Sequence, residues 1–140
     1  MKLVLDANIF LDVIFEGREF FEASMKLLKL VEQNKFAAYI SCVTLSEIIW
    51  IVYKESGYKE AKEASSYLKE LSELGVIKMI PLDERIVFKM LKFIEKYKLS
   101  LVDSLVLSTA IDVKADALIT RDESFKKVKE MKIKIPDELL

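Results

Sequence analysis

Met1-Lys-Leu-Val-Leu-Asp6-Ala-Asn8-Ile-Phe-Leu-Asp12 opens the chain. The apolar run from Leu3 to Leu5 ends on a carboxylate. Apolar residues then return at Ile9, Phe10, Val13 and Ile14, which is the spacing of a helix face. A strand, an acid at its carboxyl end and a helix directly after it make the start of a βα unit. In open α/β sheets, ligands bind in the crevice at the carboxyl ends of the strands. Asp6 is therefore either part of a ligand site or a helix cap.

The same alternation recurs along the chain. Further strands are expected over residues 37–40, 76–80, 117–120 and 133–135. Helices are expected over 7–15, 19–33, 45–54, 58–74, 84–97, 101–113 and 123–130, with 41–44 as a turn. Gly75 is placed to end the fourth of these helices. Strands alternating with helices predict an α/β fold. It has three α/β/α layers around a five-stranded, mainly parallel sheet. The 140 residues contain no repeat, linker or low-complexity stretch, so one domain over residues 1–140 is expected.

Composition narrows the chemistry. A hydrophobic fraction of 52% argues for a real core, and the longest apolar run, Ile48 to Val52, is far short of the roughly 18 residues of a membrane span. Asp6 and Asp12 interrupt the N-terminal apolar stretch, so it is not read as a signal peptide. With only Cys42, neither an internal disulfide nor a multi-cysteine zinc site can form, and a cytoplasmic protein is expected. Histidine is absent, which removes Ser-His, Cys-His and His-metal chemistry. The net charge of −1 does not mark a nucleic-acid binder, but a metal in an acidic pocket can attract phosphate.

Four acids occupy matching places. Asp6 follows the first strand and Asp122 follows the fourth. Glu47 is expected in the first turn of the helix after the second strand, and Asp103 in the first turn of the helix before the fourth. Each has a purely structural explanation. Thr44-x-x-Glu47 and Ser100-x-x-Asp103 both match a capping box. Asp6 fits an N-cap and Asp122 a turn.

The surroundings point elsewhere. Glu47 is the only charge between Phe36 and Val52, and Asp103 the only one between Leu99 and Ile111. A carboxylate buried in an apolar helix costs several kcal/mol unless it is paired. A cap contributes only about 1 kcal/mol. No Lys or Arg lies within a helical turn, so a bound metal is the economical cation. Oxygen-only ligands suit Mg²⁺ or Mn²⁺.

Asn8 and Thr120 stand two residues from Asp6 and Asp122 and are candidate helpers. Ser104 and Ser108 continue from Asp103 at helical spacing, either toward the site or as close helix packing. Asp12 either supports the site or is a solvated helix acid, the latter being the expectation. Asp116 lies at the wrong end of its strand. Arg121 is the favoured phosphate contact; the lysines between Lys126 and Lys134 read as a solvated face. Trp50 and Tyr53 serve either the core or a second subunit.

Leu-Val-Leu-Asp6-x-Asn8, Thr44-x-x-Glu47, Asp103-Ser104-x-x-Leu-x-x-Ala110 and Leu-Ile-Thr120-x-Asp122, in this order and spacing, resemble the motifs of PIN-domain nucleases. The resemblance spans nearly the whole chain. Phe125 is similar to the aromatic that often follows the last motif, and Ala7 departs from the Ser or Thr often found there.

The resemblance implies a five-stranded parallel sheet between helices and a Mg²⁺- or Mn²⁺-dependent ribonuclease acting on single-stranded or structured RNA. It implies Asp6, Glu47, Asp103 and Asp122 as metal ligands, with Asn8 and Thr120 assisting. The short form looks like VapC-type toxins, which implies a homodimer and a small antitoxin partner. Alternatives are an RNA-processing PIN nuclease without antitoxin, an inactive PIN-like binding module, or a phosphoacceptor or phosphatase α/β domain. The phosphatase pattern wants Asp-x-Asp-x-Thr where this chain has Asp6-Ala-Asn8-Ile-Phe.

Overall fold

A computed structural model describes residues 1–140. Five strands run in parallel: β1 (Lys2–Leu5), β2 (Ala37–Ser41), β3 (Ile77–Ile80), β4 (Ala117–Ile119) and β5 (Lys132–Lys134). Their order across the sheet is β3-β2-β1-β4-β5. The connections are α1 (Ala7–Ile14), α2 (Phe21–Glu32), α3 (Cys42–Ser56), α4 (Tyr58–Glu73), α5 (Glu84–Tyr97) and α6 (Leu101–Asp112). No helix is long and apolar enough to cross a membrane.

Alternation along the strands divides the core in two. Leu3 and Leu5 face one side of the sheet with Ile40, Ile77 and Ile119, where they meet Phe10, Leu27, Ile48 and Leu68 of α1–α4. Val4 and Leu118 face the other side, against Phe93 of α5, Val106 and Leu107 of α6, and Phe125. Both faces of the sheet are covered, so β1 is apolar at every position from Leu3 to Leu5 and all three side chains are fully buried. This is the expected three-layer α/β/α arrangement, with every strand parallel.

Two local expectations change. Residues 41–44 are not a turn. Ser41 ends β2 and caps α3 at once, its hydroxyl accepting the Val43 N–H at 3.1 Å. The helix therefore starts at Cys42, and Glu47 sits in its second turn. The helix expected over 123–130 reduces to a 3-10 turn, Glu123–Phe125. Tyr97 Oη accepts the Lys129 N–H at 3.1 Å, taking an amide that a continuing helix would use.

Phe125 is fully buried in the α5/α6 core, whereas Phe88 on α5 is 80% exposed. Phe125→Ala is expected to cost about 3–5 kcal/mol in urea unfolding. Phe88→Ala is expected to change stability by less than about 0.5 kcal/mol. Equal effects of the two would contradict this packing.

Candidate active site at the β1/β4 edge

In this strand order the chain turns back between β1 and β4, so the crevice at their carboxyl ends is the switch point where α/β sheets place ligands. Asp6 leaves β1 there and caps α1, with Oδ1 accepting the Ala7 N–H at 2.8 Å. Its other oxygen, Oδ2, accepts the Thr120 hydroxyl at 2.7 Å. Thr120 Oγ1 also accepts the Asp122 N–H at 3.0 Å, so one hydroxyl joins the ends of β1 and β4. Asp122 Oδ1 accepts both the N–H and the hydroxyl of Ser124, at 2.9 and 2.7 Å.

Asp103 reaches the same edge because α6 begins there and runs back against the strands. The Ser124 hydroxyl lies 3.2 Å from Asp103 Oδ2. At the far end of α6, Val113 O accepts Lys2 Nζ and Asp116 accepts the Lys2 N–H, beside the start of β1. Asp116 thus lies at the opposite edge, as its sequence position implied. Ser100 caps α6 by accepting the Asp103 N–H at 3.2 Å. Only this half of the Ser100/Asp103 capping box is seen, and the Asp103 carboxylate turns to Ser124. The Thr44/Glu47 box does not form at all, because Ser41 is the cap.

The four carboxylates sense one another. Burial, first, pushes Glu47 up, and Asp6, Asp103 and Asp122 add to it by repulsion. Burial also pushes Asp6 up against the lowering effect of its Thr120 and Ala7 bonds. Asp103 is pushed up to about 6 by burial and by the charges of Asp122 and Asp6. Asp122 is held below the usual carboxylate range: burial opposes this, but the two Ser124 bonds and a bond from Asp103 outweigh it. None of the chain's ion pairs involves any of the four. Asp6 is 4% exposed, Glu47 and Asp103 are half-buried and Asp122 is exposed.

The donor set is oxygen only. Asn8 Oδ1, in the first turn of α1, is buried without a hydrogen-bond partner, as is Thr44 Oγ1, one turn before Glu47 on α3. No three of the acids stand close enough together to form a finished ligand shell. Mutual repulsion opposes such an approach unless a cation is between them. The chemistry of these donors fits a hard divalent cation.

Other candidates go elsewhere. Arg121 does not face the acids. Its guanidinium lies 3.9 Å over the Phe20 ring, with Nε 3.6 Å from Asp12 and Nη2 3.0 Å from Asp137. Arg121 stands two residues from Ile119 and shares its α1/α2 side, so the expected phosphate contact is corrected to an internal ion pair. Asp12 is corrected too: it is 3% exposed, accepts the Ser24 hydroxyl at 2.8 Å and pairs with Arg121 and Arg18. Ser104 and Ser108 are packing residues. Their hydroxyls donate to Leu101 O and Ile86 O at 2.8 and 2.7 Å. Trp50 and Tyr53, 58% and 50% exposed, are not in the core. Ser124 was not anticipated; the Asp122-x-Ser124 spacing of an Asx turn was the available signal.

The raised acids set the pH dependence of the metal-free fold. Because Asp6, Glu47 and Asp103 are raised, the folded chain binds more protons than the unfolded chain between their ordinary values and, for Asp103, about 6. Unfolding free energy therefore falls as pH rises through that window. The lowered Asp122 contributes stability that is fully present above its ordinary value of 3.8. In chelator, the melting temperature is expected to fall across this window, and Asp103→Asn is expected to melt above the parent at neutral pH. A parent that melts higher than Asp103→Asn there would contradict the repulsion.

The family model of the PIN domain matches residues 3–131. No curated protein matches the chain in sequence. Among solved structures, a chain of the Rickettsia felis VapBC2 complex bound to a DNA fragment from its promoter is similar, with TM-score 0.71 and 20% identity. That match covers 96% of this chain and 98% of that one. A toxin–antitoxin complex from Klebsiella pneumoniae gives TM-score 0.67 and 22% identity over 96% and 97% of the two chains. Mycobacterium tuberculosis VapC20, a sarcin–ricin loop cleaving toxin, gives 0.66 and 11% over 83% and 86%. The structural matches agree on the fold, and the family match covers nearly every element that builds the β1/β4 edge: this chain belongs to the PIN domain family.

Proposed function

We propose that the chain is a Mg²⁺- or Mn²⁺-dependent ribonuclease that hydrolyses phosphodiester bonds of single-stranded or structured RNA, acting in the cytoplasm as the toxin of a toxin–antitoxin pair. The observation that carries this reading is the convergence of Asp6, Glu47, Asp103 and Asp122 at the switch point with no basic side chain paired to them. In this reading those four residues hold the cation. A divalent cation bound there supplies Lewis acidity toward water and toward the scissile phosphate.

The chain's own residues do the positioning. Thr120 and the Ala7 N–H fix the orientation of Asp6. Ser124 fixes Asp122 and spans to Asp103. The buried Asn8 Oδ1, without a partner in the fold, is the free acceptor for a cation or an ordered water. Asp103 holds its proton up to about pH 6 and must release it to bind a cation, so cation affinity rises through that range.

The toxin assignment is supported by the toxin–antitoxin complexes among the similar structures. A small antitoxin and a second copy of this chain are its partners in this reading. Exposed Leu82, Val87, Phe88, Leu91 and Leu101, on and beside α5, give an apolar surface of the kind that partners cover. An inactive module would not need to retain all four acids, and phosphoacceptor domains fall outside the PIN family.

Cleavage of a labelled single-stranded RNA in Mg²⁺ or Mn²⁺ tests the reading. Asp6→Asn is expected to reduce cleavage to the level seen in chelator, and Ser104→Ala to leave it near the parent rate. The parent rate is expected to rise as pH increases through about 6. Full activity in Asp6→Asn would sink the assignment.

A further inference from the structure

One concavity of the chain lies beside the acid edge rather than at it. It is a groove of about 660 Å³ between α3 and α4, lined by Ile49, Trp50, Tyr53, Tyr58, Ala61 and Lys62. Three hydroxyl residues, Ser46, Ser65 and Ser66, complete it. We propose that this groove is a nucleobase shelf. It stacks bases of the single-stranded RNA whose phosphate backbone would meet a cation held by the neighbouring acids. The inference rests on the ribonuclease reading above and names where the substrate strand lies.

The lining fits a base and its phosphate better than an apolar helix. Trp50 and Tyr53 are 58% and 50% exposed and lie at 27° with ring centroids 6.1 Å apart. Tyr58 is 70% exposed, and the Lys62 ammonium stands 6.0 Å from its ring centroid. Ile49 and Ala61 are the only aliphatic members.

Every base has a π-face, so exposed aromatics beside a cation make a sequence-tolerant platform for single strands. No carboxylate lines the groove, although the chain carries 23 acids. On α4 the residues at groove spacing are Tyr58, Ala61, Lys62, Ser65 and Ser66, while Glu60, Glu63 and Glu70 fall outside it. Lys62 is thus the one charge of the lining, and its sign suits a phosphate.

The shelf is continuous with the proposed site through α3. Trp50 follows Glu47 at i+3, on a neighbouring part of the helix surface and about 4.5 Å along the axis. Ser46, next to Glu47, lines the groove itself. A strand crossing from shelf to acids would travel along a single helix.

Trp50 is the chain's only tryptophan, so its fluorescence reports the shelf directly. The full chain, with Ca²⁺ as cation, is titrated with a single-stranded oligouridine of about 10 nucleotides, and binding is read both from Trp50 emission and from anisotropy of an end label. Saturable quenching of Trp50 is expected. Trp50→Ala is expected to weaken binding roughly tenfold, with Trp50→Phe close to the parent and Lys62→Glu weakened as well. Circular dichroism checks that the variants are folded.

Oligonucleotide bound by anisotropy without quenching, or bound equally by Trp50→Ala, overturns the shelf while leaving the nuclease reading intact. A Trp50→Ala chain that loses self-association in sedimentation but binds oligonucleotide normally also overturns it and assigns the groove to a protein contact. A parent chain that neither binds nor cleaves RNA sinks the shelf together with the reading beneath it.

Discussion

Four carboxylates meet at one edge of the sheet and no cationic side chain comes with them. The rest of the site is arranged around that constraint. Parallel pairing brings the ends of β1 and β4 side by side, and α6 brings Asp103 down onto the same edge. What holds Asp6, Asp122 and Asp103 is a set of neutral donors: the Ala7 N–H, the Thr120 hydroxyl, and the N–H and hydroxyl of Ser124. Such donors orient a carboxylate without cancelling its charge. Burial, with the repulsion left in place beside it, shows as raised proton affinity at Asp6, Glu47 and Asp103. A fold selected only for stability would have paired at least one of them, since an unpaired buried charge is among the costliest features a domain can carry.

The basic residue nearest in sequence is kept away by strand geometry. Thr120 and Asp122 flank Arg121, and an extended chain sends neighbouring side chains to opposite sides. Thr120 and Asp122 point toward Asp6 and α6, while Arg121 points toward α1 and α2. There it lies over Phe20 and pairs with Asp12 and Asp137. The two sides of this segment thus have opposite electrostatic character. One is an ion-pair network that ties α1, α2 and the last turn to the segment after β4. The other is an acidic edge left open.

Much of the fold was legible because strong local signals agreed with one another. Glu84–Tyr97 begins and ends where the pattern puts it, capped by Asp83, and β1 ends at Leu5, bounded by Asp6. The start of α3 was hidden because Ser41 serves as the last strand residue and as the cap, leaving no turn residues to announce the change. The end of the 123–130 segment was hidden because the group that stops it, Tyr97 Oη, is remote in sequence.

Apolar surroundings mark the acids in the sequence more strongly than burial does in the fold. Glu47 and Asp103 stood out as charges in apolar helices, yet they are half-buried, and Asp6 is the most deeply buried of the four. The roles of Asp12 and Arg121 are not legible in the sequence, because their pairing joins residues that no local spacing connects.

Helix α3 shows why apolarity alone cannot locate a core. It is apolar from Ile48 to Val52, but those five residues serve two environments. Ile48 and Val52 are buried against the sheet, while Trp50, joined by Tyr53 just beyond the run, stands open above the α4 groove. A period of 3.6 residues separates the two faces, and Glu47 lies on a third direction, toward the acid edge. Core, carboxylate and open aromatic face therefore come from one helix within three turns. Because the helix is rigid, the buried Ile48 and Val52 fix the angle between Glu47 and Trp50 as firmly as they fix the helix to the sheet. The packing that stabilises this side of the domain is then also what sets the path between the acids and the groove.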